Sequence, residues 1–171
     1  VGNGPDLTPP SIVSFNPPSG TALAKNINSS TLVLSVNEPS ECRYSQGEDK
    51  PYDAMTGKVS CRGGSPTLGT WSCFTNLINL TAGENKFYFQ CKDHPELAER
   101  SEERRNINKV SKPYSLNVCD KGLEIEDIYP KSKIVTGKSP LEIDLSVETK
   151  GCVNGGDSIC SYSFDNSSYM A

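Results

Sequence analysis

LTAGENKFYFQCKD, residues 80–93, is the stretch that decides the fold class. Gly83 marks a turn, and after it Phe87, Phe89 and Cys91 occupy every second position. This spacing is typical of a β-strand that buries one face, because successive side chains point to opposite sides of a sheet. The stretch therefore predicts a strand that is entered from a tight corner and carries Cys91 on its apolar face.

Three other segments show the same alternation. STLVLSVNE (residues 30–38) has an apolar residue at every second position, CRYS (42–45) places Cys42 and Tyr44 on one face, and PYSLNV (113–118) returns to the pattern. Short alternating segments separated by turn-forming residues are typical of all-β domains. Their density favours an antiparallel β-sandwich of the immunoglobulin-like type.

The segment HPELAERSEERRNINK, residues 94–109, breaks the β pattern. Pro95 stands at a plausible first helical position, and Glu and Arg residues follow at helical spacing. We expect one or two helical turns with a solvated charged face, rather than a partner-binding helix. His94 is the single histidine of the chain. Because the sequence suggests no partners for a catalytic triad, we expect His94 at the surface or at the helix start.

The overall composition limits the class of protein. The chain has 171 residues and a formal net charge of -4, which argues for solubility and against binding to nucleic acids or anionic membranes. No apolar run reaches the roughly 18 residues of a membrane span. The sequence begins with Val and shows no signal peptide, so we interpret it as a mature or excised piece of a longer protein.

Cysteine content is the strongest signal in the composition. The spacings between successive cysteines are 19, 12, 18, 28, 33 and 8 residues, whereas structural zinc sites need closely spaced cysteine pairs, usually with histidine. We therefore predict disulfides, no metal or other cofactor, and an oxidising compartment outside the cytosol. The seven cysteines are Cys42, Cys61, Cys73, Cys91, Cys119, Cys152 and Cys160.

Three pairs of segments repeat in the same order along the chain. IEDIYPKS (residues 125–132) matches IVSFNPPS (12–19) at an offset of 113 residues. The LSV triplet of PLEIDLSVE (140–148) lies 111 residues after the LSV triplet of STLVLSVNE (30–38). CSYS (160–163) follows CRYS at an offset of 118. Matched segments in a constant order predict a modular array with a repeat of roughly 115 residues.

The repeat divides the chain into one complete and one partial module. The difference between the offsets 111 and 118 places seven extra residues in TKGCVNGGDSI (149–159). We expect a first module in residues 1–120 and the first strands of a second in residues 121–171, with nothing to match residues 56–118. An apolar face without its opposing sheet should stay exposed. In the second module that face carries Ile143, Leu145 and Val147.

Several of these motifs resemble immunoglobulin-like and fibronectin-type-III-like modules that recur in archaeal and bacterial surface proteins. The resemblance covers residues 6–93, and residues 125–170 as the first part of a second module. The charged insertion after Asp93 and the additional cysteines depart from the simple pattern. The motifs are DLTPPSIVSFNPPSG (6–20), LVLSVNEPSECRYS (32–45), YDAM (52–55) and LTAGENKFYFQCKD (80–93).

The resemblance implies a disulfide between Cys42 and Cys91. Alternation places both cysteines on the apolar faces of their strands, so the pairing is sterically reasonable. The same spacing of 49 residues, counted from Cys160, reaches beyond residue 171. We therefore expect the partner of Cys160 in a part of the second module that this piece does not contain.

The remaining cysteines have local options. Cys61 and Cys73 lie in the same middle region of the first module and can pair with each other. Cys119, at the junction of the modules, can pair with Cys152 in the insertion. The alternative is a bridge between Cys152 and Cys160, and the sequence leaves both possibilities open.

Other candidate sites have weaker signals. A calcium loop needs a dense Asp-x-Asp pattern with Gly, and the carboxylates in the first third of the chain lack it, so solvated loop charge is expected. The double glycine at Gly63 and Gly64 has no phosphate-loop context. Those carboxylates are Glu38, Glu41, Glu48, Asp49 and Asp53.

An aromatic residue and three glycosylation motifs complete the candidates. Trp71, in TWSCF, is expected to pack in the core beside Cys73; the alternative is an exposed surface for stacking on a sugar. Asn28, Asn79 and Asn166 begin Asn-x-Ser/Thr motifs in turn-like segments. Such motifs arise by chance, but an extracytosolic chain makes their glycosylation plausible.

Together these features predict a tandem immunoglobulin-like β protein of a cell surface or extracellular appendage. Its expected role is structural or adhesive, for example in a filament or a surface layer. Its expected partners are other copies of itself or neighbouring modules, and glycans. The alternative is a non-catalytic, carbohydrate-binding accessory module of a secreted enzyme. The sequence offers no set of acid, base and nucleophile that would support an enzyme.

Overall fold

The computed structural model describes residues 7–61, 69–97, 104–132, 137, 142–152, 160 and 162. Within these ranges the chain forms ten β-strands and two 3-10 turns and no α-helix, so the predicted all-β class is confirmed. The strands are β1 (Ile12–Asn16), β2 (Thr21–Leu23), β3 (Ser29–Val36), β4 (Ser40–Gln46), β5 (Gly57–Cys61), β6 (Trp71–Ile78), β7 (Gly83–Asp93), β8 (Lys112–Val118), β9 (Glu124–Tyr129) and β10 (Ser146–Lys150).

The strands form two sheets. The larger sheet has eight strands in the order β1-β3-β6-β5-β4-β7-β8-β2, and the smaller one pairs β10 with β9. All pairings are antiparallel except that of β2 with β8, which is parallel. In the smaller sheet, β10 has β9 as its only strand neighbour among the described residues.

The eight-stranded sheet is curled. Strands β1 and β8 stand six places apart in the sheet order, which would be roughly 29 Å in a flat sheet at ~4.8 Å per strand. The ring centroids of Phe15 on β1 and Tyr114 on β8 are nevertheless 4.8 Å apart. Phe15 also lies 5.4 Å from Phe89 on β7. The two ends of the sheet therefore fold towards each other and enclose one core.

The alternation seen in the sequence coincides with the buried face of the sheet. Phe87, Phe89 and Cys91 are all 0 % exposed, as the pattern of β7 predicts. The same holds for the apolar positions of β3, which are Leu32, Leu34 and Val36. Burying such side chains is worth about 1.5–3 kcal/mol each relative to exposure, and this stabilises the pairing of the strands that carry them.

The ring of Tyr44 lies against Gly57 on the neighbouring strand, where a side chain would collide with it. Tyr44 pairs with Gly57 across β4 and β5, and a Cβ atom added at Gly57 would lie 2.5 Å from three atoms of the Tyr44 ring. From this position the ring packs 5.4 Å from Phe89 and 6.0 Å from Phe87. Gly57 thereby allows an aromatic side chain of β4 to lie across the neighbouring strand.

The charged insertion is fixed to the end of β7 by buried polar groups. Asp93 is 0 % exposed, and its carboxylate accepts hydrogen bonds from the backbone N (2.6 Å) and the side-chain Nδ2 (2.7 Å) of Asn106. Arg105 donates from Nε to the Asp93 carbonyl (2.7 Å) and forms an ion pair with Glu41 at 3.2 Å. These bonds satisfy polar groups whose burial would otherwise be costly.

The helical turns expected in the insertion lie only partly within the described residues. Pro95–Leu97 forms a single 3-10 turn, and residues 98–103 lie outside the described residues. The chain then returns along β7, because Asn108 accepts a hydrogen bond from the Cys91 backbone N at 2.6 Å. The hydrogen bonds between Asn106 and the buried Asp93 carboxylate fix this part of the chain to the end of β7, and helical propensity does not reveal such a tertiary contact.

The β9–β10 pair repeats the geometry of β1 and β3. Ile128 lies opposite Val147, and Phe15 lies opposite Leu34; each residue of the first pair is 113 positions after its counterpart. The sequence match equates Val147 with Val36, at an offset of 111, whereas the strand pairing equates Val147 with Leu34. The difference is two residues, which leaves every side chain on the same face of the sheet because the side-chain period of a strand is two.

Candidate interface and disulfide framework

Two disulfides join neighbouring strands of the larger sheet. Cys42 on β4 is bonded to Cys91 on β7, and Cys61 on β5 is bonded to Cys73 on β6. In both pairs the two cysteines lie directly opposite each other, with Cα atoms 4.0 Å apart. Directly opposed residues of an antiparallel pair have their side chains on one face and close together, which allows such bonds to form.

A third disulfide links the segment after β8 to the segment after β10. Here the structure joins Cys119 to Cys152, one of the two options that the sequence left open. Cys160 is exposed and takes part in none of the three bonds. Three disulfides indicate an oxidising environment for the folded chain.

The two disulfides of the larger sheet lie side by side. The Sγ atoms of Cys42, Cys61 and Cys73 are all within 4.8 Å of one another. Their strands follow one another in the sheet, in the order β6, β5, β4 and β7. Because metals bind the thiolate form of cysteine, these sulfurs as bonded here are disulfide sulfurs rather than metal ligands.

An exposed apolar patch covers the smaller sheet. We define the β9–β10 patch as five aliphatic side chains whose exposed fractions lie between 39 % and 60 %. Ile128 and Val147 lie opposite each other, so they share one face. Ile143 and Leu145 precede β10 in the chain, and exposed apolar side chains grouped in this way make the segment a candidate interaction site. The five residues are Ile125, Ile128, Ile143, Leu145 and Val147.

The side chain at the equivalent position of the larger sheet is buried. Leu34 stands in the position that Val147 takes in the repeat, and it is 0 % exposed whereas Val147 is 39 % exposed. Strand β3 pairs with β1 on one side and with β6 on the other. Leu34 also belongs to the core cluster that contains Phe87 and Phe89. Within the part of the chain that the structure describes, the β9–β10 pair thus resembles the β1–β3 pair without further strands beside it.

Two of the three glycosylation motifs meet at one end of the larger sheet. Asn28 and Asn79 are both exposed, and the backbone N of Leu80 donates to the backbone oxygen of Asn28 at 3.0 Å. They are 51 positions apart in the sequence, and only the pairing of β3 with β6 brings them together. Asn166 lies outside the described residues.

The carboxylates in the first third of the chain bind to protein groups. Glu41 pairs with Arg105 and Arg43, at 3.2 Å and 3.5 Å. Asp49 accepts a hydrogen bond from Ser111 at 2.6 Å. No cluster of three or more acidic side chains within the described ranges converges as metal ligands would. The arrangement therefore fits solvated and paired charge rather than a calcium loop.

Trp71 and His94 both have structural surroundings. Trp71 lies opposite Val36 at the start of β6 and packs, partly buried, against the core. The Nδ1 atom of His94 is 2.9 Å from the Glu96 carboxylate at the 3-10 turn. These positions agree with the core role expected for Trp71 and the turn-start role expected for His94.

Tyr52 has buried contacts that the sequence did not predict. The Arg43 guanidinium and the Lys92 ammonium group lie 4.6 Å and 4.8 Å from its ring centroid, at distances that favour cation–π attraction. Its hydroxyl donates to the Glu41 carbonyl at 3.1 Å. Burial raises the pKa of the Tyr52 phenol to about 12, and the Glu41 carboxylate acts in the same direction. The only signal in the sequence was the aromatic residue in YDAM.

Nothing in the described ranges forms a helix long and apolar enough to cross a membrane. The described residues form a disulfide framework, a covered core and the exposed β9–β10 patch. No protein-family model, no characterised protein and no solved structure matches this chain.

Proposed function

We propose that this chain is a structural or adhesive segment of an extracellular or cell-surface protein. In this proposal the larger sheet is an immunoglobulin-like β-sandwich, and the smaller sheet is the beginning of a second module of the same type. The observation that carries the proposal is the β9–β10 patch. Leu145 and Val147 are 56 % and 39 % exposed, whereas Leu34 is 0 % exposed.

The strand pairing supports the sandwich. One half of the curled sheet contains β1, β3, β6 and β5, and the other contains β4, β7, β8 and β2. The ring contact between Phe15 and Tyr114 packs the first half against the second. Two layers of mainly antiparallel strands around one apolar core are typical of the sandwich architecture.

We expect the smaller sheet to be completed by further polypeptide, because an uncovered two-stranded sheet is unstable. A two-stranded sheet by itself is only marginally stable in water, and an open strand edge accepts additional strands. In the larger sheet the edge of β3 is taken by β6. We propose that the outer edge of β10 receives a strand in the same way, from a following segment of the same protein or from a second copy.

Such a role agrees with a fold that combines one apolar core with disulfides. A surface protein needs a fold that persists in an oxidising medium, where disulfides survive. Two of the three bonds, at Cys42–Cys91 and Cys61–Cys73, fasten adjacent strands. The alternative, a sugar-binding accessory module, depended on an exposed Trp71, whose partly buried position against the core argues against it.

Sedimentation of matched variants tests the proposal. Val147→Asp places a charge in the β9–β10 patch, whereas Ser146→Asp places it on the opposite face of β10. We expect the unmodified chain to self-associate and to bind an apolar fluorescent dye, Val147→Asp to reduce both, and Ser146→Asp to leave both unchanged. A strictly monomeric chain whose dye binding is the same in both variants would contradict the proposal.

A second measurement separates the two sources of the completing strand. In a longer version of the protein that continues beyond residue 171, hydrogen exchange at β10 reports whether its amides are protected. Protection in a monomer indicates that the following segment of the same chain supplies the strand. Protection that appears only at concentrations where the protein associates indicates a second copy.

A further inference from the structure

Two of the Asn-x-Ser/Thr motifs lie beside each other in the folded chain. Asn28 immediately precedes β3, and Asn79 immediately follows β6. The pairing of these two strands ends with Ser29 opposite Ile78, so the two asparagines stand at the same end of the sheet. Both asparagines are exposed. The folded chain therefore leaves each of them accessible to solvent, where an attached glycan can extend.

The same end of the sheet exposes an isoleucine next to each asparagine. Ile27 and Ile78 are 40 % and 50 % exposed. A glycan is bulky and solubilising, so one attached to the neighbouring asparagine shields such a side chain from contact with other molecules. Glycans on Asn28 and Asn79 would thus cover apolar surface that the fold itself leaves open.

The residues that complete each motif are engaged in the fold. Leu80 is 6 % exposed, and its backbone N donates to the backbone oxygen of Asn28 at 3.0 Å. The backbone N and the hydroxyl of Thr81 donate to Asn85 Oδ1, at 2.9 Å and 3.4 Å. The two serines after Asn28 belong to β3, which pairs with β6. An enzyme that recognises the three residues of a motif therefore finds them accessible only before these strands have paired.

We propose that Asn28 and Asn79 are a pair of N-glycosylation sites, modified before β3 pairs with β6. The donor is an oligosaccharide linked through a diphosphate to a polyprenol lipid. The amide nitrogen of each asparagine attacks the anomeric carbon of the sugar and loses one proton. A carbon–nitrogen bond forms, the bond from that carbon to the diphosphate oxygen breaks, and the lipid diphosphate leaves. The proposal shares with the proposed function only the location outside the cytosol, which the disulfides favour.

Glycopeptide mass spectrometry of the protein from its native source tests the two sites. We expect Asn28 and Asn79 to carry glycans in the same molecule. Recovery of either asparagine only in unmodified peptides would overturn the proposed pair. This readout does not depend on self-association, so it can fail while the role proposed for the β9–β10 patch stands.

A matched pair of serine variants tests whether the motif directs the modification. In a host that N-glycosylates secreted proteins, Ser30→Ala destroys the Asn-x-Ser motif and should remove the glycan of Asn28. Ser29→Ala changes only the middle position of the motif and should retain this glycan. Loss of the Asn28 glycan in both variants, or in neither, would contradict recognition through the motif.

The order of modification and folding is tested in the variant Asn166→Gln, which lacks the third motif. The folded, disulfide-bonded chain and the reduced and alkylated chain are each incubated with an oligosaccharyltransferase and its lipid-linked donor. We expect the reduced and alkylated chain to gain glycans at Asn28 and Asn79, and the folded chain to gain neither. Modification of the folded chain at an equal rate, or of neither chain, would overturn the proposal.

Discussion

Val147 lies directly opposite Ile128 in the smaller sheet, just as Leu34 lies opposite Phe15 in the larger one. The geometry of the two pairs is shared, but their environments differ. Leu34 is 0 % exposed and Val147 is 39 % exposed. The two positions therefore offer a matched comparison of what covering strands contribute to stability.

The first prediction uses this comparison. Leu34→Ala should lower the free energy of unfolding by about 3 kcal/mol, because it removes buried methyl groups and leaves a cavity. Val147→Ala should change it by less than about 0.5 kcal/mol, as substitutions at exposed positions usually do. Urea unfolding followed by tryptophan fluorescence measures both values. Equal losses in the two variants would mean that the β9–β10 patch is covered in solution.

The second prediction concerns the buried charge at the end of β7. Asp93→Ala should destabilise the chain by about 3 kcal/mol, because two donors of Asn106 lose a buried charged acceptor. Glu84→Ala is the control, since the side chains of Glu84 and Lys86 are 49 % and 56 % exposed and form an ion pair at 3.3 Å. Exposed ion pairs contribute about 0–1 kcal/mol. Thermal unfolding distinguishes the two, and a similar melting temperature for both variants would contradict the structural role of Asp93.

The third prediction ranks the two disulfides of the larger sheet. The bond between Cys42 and Cys91 spans 49 residues, and the bond between Cys61 and Cys73 spans 12. Loop-closure entropy assigns them about 4 and about 3 kcal/mol. Double alanine variants should follow this order in urea unfolding. A larger loss on removal of Cys61 and Cys73 would show that packing around the shorter loop outweighs chain entropy.

The fourth prediction is a loss of stability at alkaline pH. Burial raises the pKa of Tyr52 and of Tyr114 to about 12 in the folded chain, against an ordinary value near 10. The folded state thus retains the phenolic proton more strongly than the unfolded state. This contribution to stability is complete below about pH 10 and is lost as the pH rises through about 12. Tyr52→Phe should make the decline in melting temperature between pH 10 and 12 shallower, and an unchanged slope would argue against it.

The fifth prediction concerns Gly57. Gly57→Ala would place a methyl group 2.5 Å from the Tyr44 ring, so the ring must move away from Phe87 and Phe89. Overpacking of this kind costs about 1–3 kcal/mol. Gly47→Ala provides no such contact, because nothing lies within 4 Å of the added atom there, although its positive φ of 82° carries its own strain. The double variant Gly57→Ala/Tyr44→Ala should lose less than the sum of the two single variants, and strict additivity would contradict the clash.

The sequence predicted those elements whose side chains alternate. The buried face of β7, with Phe87 and Phe89, follows from period-two spacing alone. The cysteine partners across β4 and β7 followed from a resemblance and from that alternation. The alternation of residues within a segment is sufficient to predict which side chains are buried, because each such prediction concerns one strand and one face.

Features that depend on contacts between residues far apart in the sequence could not be predicted from alternation. Asp93 and Arg105 belong to a run of charged residues that looks solvated in the sequence, yet tertiary contacts bury both. The two-residue difference in the register of Val147 is equally invisible, since a shift of two preserves the alternating pattern. The proximity of Asn28 to Asn79 likewise exists only after β3 and β6 have paired.

The parallel pairing of β2 with β8 has a mechanical consequence. Residues 21–23 run alongside residues 116–118 in the same direction, so tension between the two ends of this unit pulls the strands past each other. Their hydrogen bonds are then loaded in shear and must fail together, whereas an antiparallel end pair would open one bond at a time. If the β2–β8 pair fails, the Cys42–Cys91 disulfide still prevents extension of the 49 residues that it spans. Fully extended, this loop would add roughly 170 Å at ~3.5 Å per residue.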